Sequence, residues 1–266
     1  MSLIYNATFD SGTRVLSLLD KAGNVISSCE VPSKELVDDP NKPLMFRAIE
    51  DNSSVTLTKP AMAGNWLSTY QTSTNGTDWT DYTLGTEISL NKGESVYFRC
   101  NKNNTRQSNT YYIYFSMTGK IEAWHNAYSI ISSDFSSAEA SVGEYGMKGL
   151  FQHCSSLTKA PLLLNALSPY CYKETFRGCS SLTQAPALPA TTLEKSCYEY
   201  MFYECQSLKE VRIAATKTAT DALYLWLAYV PATGDFYCDP SATIFPSGVD
   251  GIPKGWVRRN IADYPN

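Results

Sequence analysis

The chain has 266 residues, of which 43% are hydrophobic, 12% aromatic and only 18% charged. That balance excludes a disordered chain and leaves length for two domains with a sizeable core, under a surface built largely from Ser, Thr, Asn and Tyr. Lys and Arg number 22 against 26 Asp and Glu, a formal charge of −4, so no footprint for a phosphate backbone exists and nucleic acid is not an expected partner.

The opening Met1-Ser2-Leu3-Ile4-Tyr5-Asn6 has neither a basic region nor a sustained apolar one, so no secretory signal is expected there. The longest apolar stretch, from Ala222 to Val230, is far short of the roughly 20 residues that span a bilayer, and no membrane insertion is expected.

The first expected element is a hairpin within residues 1–39. Thr13-Arg14-Val15-Leu16-Ser17-Leu18-Leu19 and Val25-Ile26-Ser27-Ser28-Cys29-Glu30-Val31 flank the turn Asp20-Lys21-Ala22-Gly23-Asn24. Such a unit is too small to fold alone, so it is expected to serve as an assembly anchor, packing on the next domain or pairing its edges with a partner chain. Asp38-Asp39-Pro40-Asn41-Lys42-Pro43 has linker composition.

Residues 40–119 predict a β-sandwich. Strand signals fall at Met45–Ala48, Ser54–Thr58, Leu67–Tyr70, Glu87–Leu90 and Val96–Arg99, split by turn chemistry at Glu50-Asp51-Asn52, Asn75-Gly76-Thr77-Asp78 and Asn91-Lys92-Gly93-Glu94. Trp79 and Tyr82 are candidate stacking faces for a sugar ring, although a Trp closing the end of the sandwich is the favoured reading.

An internal repeat organises residues 120–266. Phe151-Gln152-His153-Cys154-Ser155-Ser156-Leu157, Phe176-Arg177-Gly178-Cys179-Ser180-Ser181-Leu182 and Phe202-Tyr203-Glu204-Cys205-Gln206-Ser207-Leu208 share F-x-x-C-x-S-L at offsets of 25 and 26. Cys171-Tyr172 and Cys197-Tyr198 keep the same phase, as do Leu157-Thr158-Lys159-Ala160-Pro161 and Leu182-Thr183-Gln184-Ala185-Pro186. Such periods are the signature of a short leucine-rich-repeat solenoid. The shared Phe, Cys, Ser and Leu positions are expected in the stacked interior.

The variable positions, His153, Arg177 and Tyr203 in one row and Lys159, Gln184 and Glu210 in another, are the candidate binding residues. In-phase cysteines favour a ladder of buried free thiols over disulfides. Leu223, Trp226, Leu227 and Val230 behind Thr220-Asp221 predict a capped amphipathic helix closing the stack. Gly234–Cys238 and Gly251–Val257 predict final strands.

Cys197-Tyr198-Glu199-Tyr200-Met201-Phe202-Tyr203-Glu204-Cys205, Ala185-Pro186-Ala187-Leu188-Pro189-Ala190-Thr191-Thr192-Leu193 and Gly251-Ile252-Pro253-Lys254-Gly255-Trp256 resemble the BspA-type leucine-rich-repeat proteins of gut Bacteroides-group bacteria and their phages. The likeness extends through the sandwich, where Thr118-Gly119-Lys120-Ile121 leads into the first coil, and stops short of residues before Pro40. It implies adhesion without chemistry, on a virion or cell surface, toward a host glycan or protein.

The residues themselves point away from catalysis. Neither His125 nor His153 lies in a Ser-His-Asp or H-E-x-x-H context, no carboxylate pair reads as a glycosidase dyad, and no phosphate loop is present. His153 beside Cys154 gives way to Gly178 and Glu204 in the next copies, which argues against a metal site. The expectation is a non-enzymatic phage virion fibre or decoration protein without cofactor, docked on other virion proteins through its N-terminal hairpin, assembled as a homo-oligomer and binding a host-surface ligand through its repeats. The alternative is a bacterial surface adhesin of the same repeat type. A glycan-processing enzyme would require two carboxylates about 5–10 Å apart in a cleft.

Overall fold

The computed structural model describes residues 6–10, 15–30, 36–60, 69–101, 108–110, 112–137 and 140–264. Among them the chain is mainly β, with short strands and two single 3-10 turns, Ala127–Ile130 and Ile261–Asp263, as its only helical pieces. It forms two compact units, Met1–Val37 and Asp38–Asn266.

The first unit is a three-stranded antiparallel sheet of β1 (Asn6–Asp10), β2 (Val15–Leu19) and β3 (Val25–Glu30), with β2 in the centre. The expected hairpin is β2–β3. Its turn is fixed by the Asp20 carboxylate, which accepts from the amides of Ala22 and Asn24 at 2.8 and 2.9 Å, and by Gly23 at φ +85°. Strand β1 is an addition, a segment too short and polar to read as a strand until β2 offers it an edge.

In the second unit, β4 (Met45–Ala48), β5 (Ser53–Thr58), β6 (Tyr70–Ser73), β7 (Thr80–Tyr82), β8 (Ile88–Leu90), β9 (Ser95–Cys100), β10 (Tyr114–Thr118), β11 (Ile121–Trp124) and β12 (Leu157–Lys159) build two sheets. One is antiparallel in the order β10-β5-β8, the other runs β12-β11-β4-β9-β6-β7. They meet through aromatic rings: Phe115 of β10 lies edge-on to Phe46 of β4 at 4.6 Å and to Phe98 of β9 at 5.3 Å. Of the strand expected at Leu67–Tyr70, residues 67 and 68 lie outside the described residues, and Tyr70 opens β6.

The expected boundary between 119 and 120 falls inside this unit. Gly119, at φ +73° and so close to Ser53 that a Cβ would meet its backbone at 2.8 Å, turns β10 into β11, which pairs with β4 on one side and with β12 on the other.

The repeat segments lie side by side and have an unusual backbone. In residues 143–154 the amides alternate. Those of Tyr145, Met147, Gly149, Phe151 and His153 donate to carbonyls of the next coil, for example Phe151 N–H to Thr175 O at 2.9 Å, while the intervening ones close turns onto carbonyls three residues back, for example Cys154 N–H to Phe151 O at 3.0 Å. Every second turn has a left-handed third residue, the type II signature: Tyr145, Gly149 and His153, then Tyr170, Glu174 and Gly178, then Ser196, Tyr200 and Glu204, then Asp221, Leu225 and Tyr229. Each segment is thus a ribbon of consecutive turns hydrogen-bonded sideways to its neighbour.

The fourth ribbon replaces the expected amphipathic helix at residues 220–230, where no helix forms. Its carbonyls are taken by the third ribbon, with Phe202 N–H donating to Trp226 O at 2.9 Å. The turn ribbon repeats every four residues, close enough to 3.6 that Leu223, Trp226, Leu227 and Val230 imitate a helical stripe. Aligned by their left-handed residues, Cys171-Tyr172, Thr175-Phe176 and Cys179 correspond to Ala222-Leu223, Trp226-Leu227 and Val230.

Beyond it, β13 (Glu210–Arg212), β14 (Asp235–Cys238) and β15 (Val257–Asn260) form a parallel sheet. The Trp226 indole donates to Gly251 O at 3.1 Å, and that of Trp256 to Pro231 O at 2.8 Å, closing the end of the stack.

Phe151, Phe176, Phe202, their following cysteines and Leu157, Leu182 and Leu208 are buried. Ser156, Ser181 and Ser207 are not: they are half-buried, set at the turn after the core cysteine where a hydroxyl still reaches backbone, as Ser156 does to Met117 O at 3.4 Å. The seven cysteines whose side chains are described are free. The thiols of Cys154, Cys179 and Cys205 each donate to a phenylalanine carbonyl of the preceding layer, Phe115, Phe151 and Phe176, at 3.1 Å. That bond gives the buried sulfur a partner which a disulfide would remove.

Candidate functional site

Apart from Gly149 and Ser196, which are buried, the left-handed residues of the ribbons are half-buried or exposed. Two of them, Tyr200 and Tyr229, join Tyr203 and Tyr224 in an aromatic ridge on the third and fourth ribbons. Tyr200 packs edge-on against Tyr203 at 5.5 Å and Tyr224 at 5.4 Å, and Tyr203 against Tyr229 at 5.1 Å. Tyr224 and Tyr229 are 44% and 69% exposed. The Arg177 guanidinium lies 5.0 Å from the Tyr203 ring and 5.8 Å from that of Tyr200, with Glu174 at 4.0 Å, and its Nε is buried with no hydrogen-bond partner among the described residues.

His153 adjoins this ridge. It is exposed and left-handed at φ +62°, and its ring covers Gly178, where a Cβ would meet Nδ1 at 2.7 Å. The fold therefore brings His153, Arg177 and Tyr203 close together on neighbouring ribbons. Tyr200, Tyr224 and Tyr229 escape the sequence reading because they meet only through the sideways bonding of one ribbon to the next, as where Tyr200 N–H donates to Tyr224 O at 3.0 Å.

Lys159, Gln184 and Glu210 sit instead on the strand segments of the coils. Lys159 is paired with Asp38 at 2.7 Å and lies 3.9 Å from the Trp124 ring centre. The Gln184 amide donates to Glu210 at 2.6 Å and to the Tyr264 hydroxyl, which itself donates to Glu210 at 2.6 Å. Burial, then the adjacent Glu210 carboxylate, push the Tyr264 phenol up to about 12, so its hydroxyl keeps the proton that it donates to Glu210.

Between Lys159 and Gln184 opens a cleft of about 440 Å³, walled by Asp38 and by residues 158–162 and 183–187. Neighbouring ribbons are bonded here only on their turn side. Among the described residues no backbone hydrogen bond joins 157–162 to 183–187, and Pro161 and Pro186 have no N–H to give.

Trp79 and Tyr82 are not joined to either group in a shared site. Trp79 is half-buried under the Arg99 guanidinium, 4.0 Å from its centre. Tyr82 is committed to structure: its hydroxyl accepts from Leu57 N–H at 3.0 Å, donates to Thr86 O at 2.5 Å, and its ring packs on Phe98 at 5.3 Å. The hydroxyl thereby ties β5 to β7.

Among the described residues no group of three His, Cys, Asp or Glu side chains could hold a metal ion, and no helix is long and apolar enough to cross a membrane. No family model matches the chain, and no curated protein and no solved structure matches it.

Proposed function

We propose that this protein is a non-catalytic binding protein of a phage virion, a fibre or decoration subunit with a β-sandwich followed by a BspA-type leucine-rich-repeat solenoid, which holds a host-surface glycan or protein on its repeats. The observation that carries this reading is the ridge of Tyr200, Tyr203, Tyr224 and Tyr229 around Arg177. Tyr and Arg are the residues that dominate binding hot spots, offering large contact area at little entropic cost. The repeat period and the stacked core rings support the solenoid assignment. Val25 and Ile26, exposed on the first unit at 59% and 37%, support its reading as the anchor to other virion proteins and to sister copies.

Fluorescently labelled full-length protein, titrated onto host cells and onto a glycan array, tests the reading. Tyr229→Ala and Arg177→Ala are each expected to weaken binding about tenfold or more, as loss of about 1.4 kcal/mol or more requires. Unchanged binding by both variants overturns the ridge as the contact surface. Antibody labelling of purified particles tests the carrier, and label confined to bacterial envelopes would transfer the same role to a surface adhesin.

A further inference from the structure

His125 is 1% exposed and left-handed at φ +67°, at the end of β11. Segment 38–43 is strapped across it. The His125 Nδ1 accepts the Asp39 N–H at 3.1 Å, the His125 N–H donates to Asp38 Oδ1 at 2.7 Å, and the other Asp38 oxygen takes the Lys159 ammonium at 2.7 Å. Asn126 completes the attachment, its side chain donating to Pro40 O at 3.0 Å and its N–H to Lys42 O at 3.1 Å.

Because Nδ1 is an acceptor, the ring is neutral with its proton on Nε2, and Nε2 is buried with no hydrogen-bond partner among the described residues. A second proton can enter only at Nδ1, where it would face the Asp39 N–H and abolish that bond. We propose that segment 38–43 is an acid-released strap, latched by neutral His125, and that its release opens the cleft walled by Asp38 and Lys159.

The groups facing the imidazole are Asp38, Asp39, Lys42 and Lys159, with the Tyr97 ring stacked at 6.3 Å. The two carboxylates favour the imidazolium and the two lysines oppose it. Burial is the largest influence, and it holds the imidazole below its ordinary value. The sign follows. The latched state binds fewer protons than the released one, so the latch is fully held above about pH 6.5 and weakens as the pH falls below it, by up to tenfold per pH unit until the latched imidazole itself titrates.

Amide hydrogen exchange on the full-length protein, corrected for intrinsic rates between pH 7.5 and 5, tests this. The Asp39 amide is expected to lose protection by up to tenfold per pH unit below about 6.5, while the amides of Phe151 and Phe176 keep theirs. His125→Asn keeps an acceptor near the Nδ1 position and tolerates the left-handed backbone, and it is expected to abolish the pH dependence. In the wild-type protein, an NMR titration of the His125 ring should give a midpoint below 6.5 that the Asp39 amide shift follows, which tests the latch even if the variant folds poorly. A flat Asp39 profile, an equal fall in the variant, or parallel loss at Phe151 and Phe176 would each overturn the proposal.

Discussion

Phe151 and Phe176 lie ring over ring in consecutive coils, 5.3 Å apart and 4° from parallel. Phe202 continues the column at 5.7 Å and 2°, and Phe115 of the sheet region begins it at 5.6 Å and 12°. The column runs unbroken from a strand of the first layers into the third ribbon, and all four rings are fully buried.

Removing a ring from the middle of the column empties space bounded by two others. Phe176→Ala is expected to cost about 3–5 kcal/mol, and Phe176→Leu less, read as a shift in the denaturant midpoint at constant slope.

The thiol ladder carries a pH dependence. Burial pushes the Cys197 thiol up to about 12 and raises those of Cys154, Cys179 and Cys205 strongly. The folded chain holds protons that the unfolded chain releases above about pH 8.5, so stability is intact below that value and declines above it, by up to about 1.4 kcal/mol per pH unit for each thiol. Urea midpoints at pH 7.5 and 9.5 check the direction. In a Cys29→Ser background, a thiol reagent at pH 8 should label the folded protein only as fast as it unfolds.

Left-handed backbone gives a third expectation. Gly178 stands at φ +73° beneath the His153 ring, so Gly178→Ala is expected to destabilise by about 1–2 kcal/mol. Leu225, at φ +49°, tolerates its unbranched Cβ, whereas Leu225→Val is expected to cost about 1–3 kcal/mol. Thermal unfolding of both variants checks these values.

The sequence exposes the stack more readily than the path of its backbone. The F-x-x-C-x-S-L copies locate Phe151, Phe176 and Phe202 in the core because an identical environment in each coil demands identical side chains. They also separate His153, Arg177 and Tyr203 from that core. Trp226 and Leu227 hide the fourth ribbon, since they fill the shared positions with different shapes, and a four-residue turn cycle is nearly indistinguishable from a helical one over 10 residues. Nothing local to Tyr82 reveals that its hydroxyl reaches Leu57, 25 residues away. Asp38 and His125 are 87 residues apart, and only the closed structure makes them neighbours.

The alternating amides of the ribbons give the architecture a capacity for growth. Since each ribbon satisfies half of its donors internally and offers the others sideways, its two flanks are complementary, and a whole coil can be duplicated or excised between the second and third without leaving an orphaned row. Length variants of this protein are expected to differ by about two dozen residues at a time, lengthening or shortening the tyrosine-bearing edge while the sheets at one end and the tryptophan-closed layer at the other stay as they are.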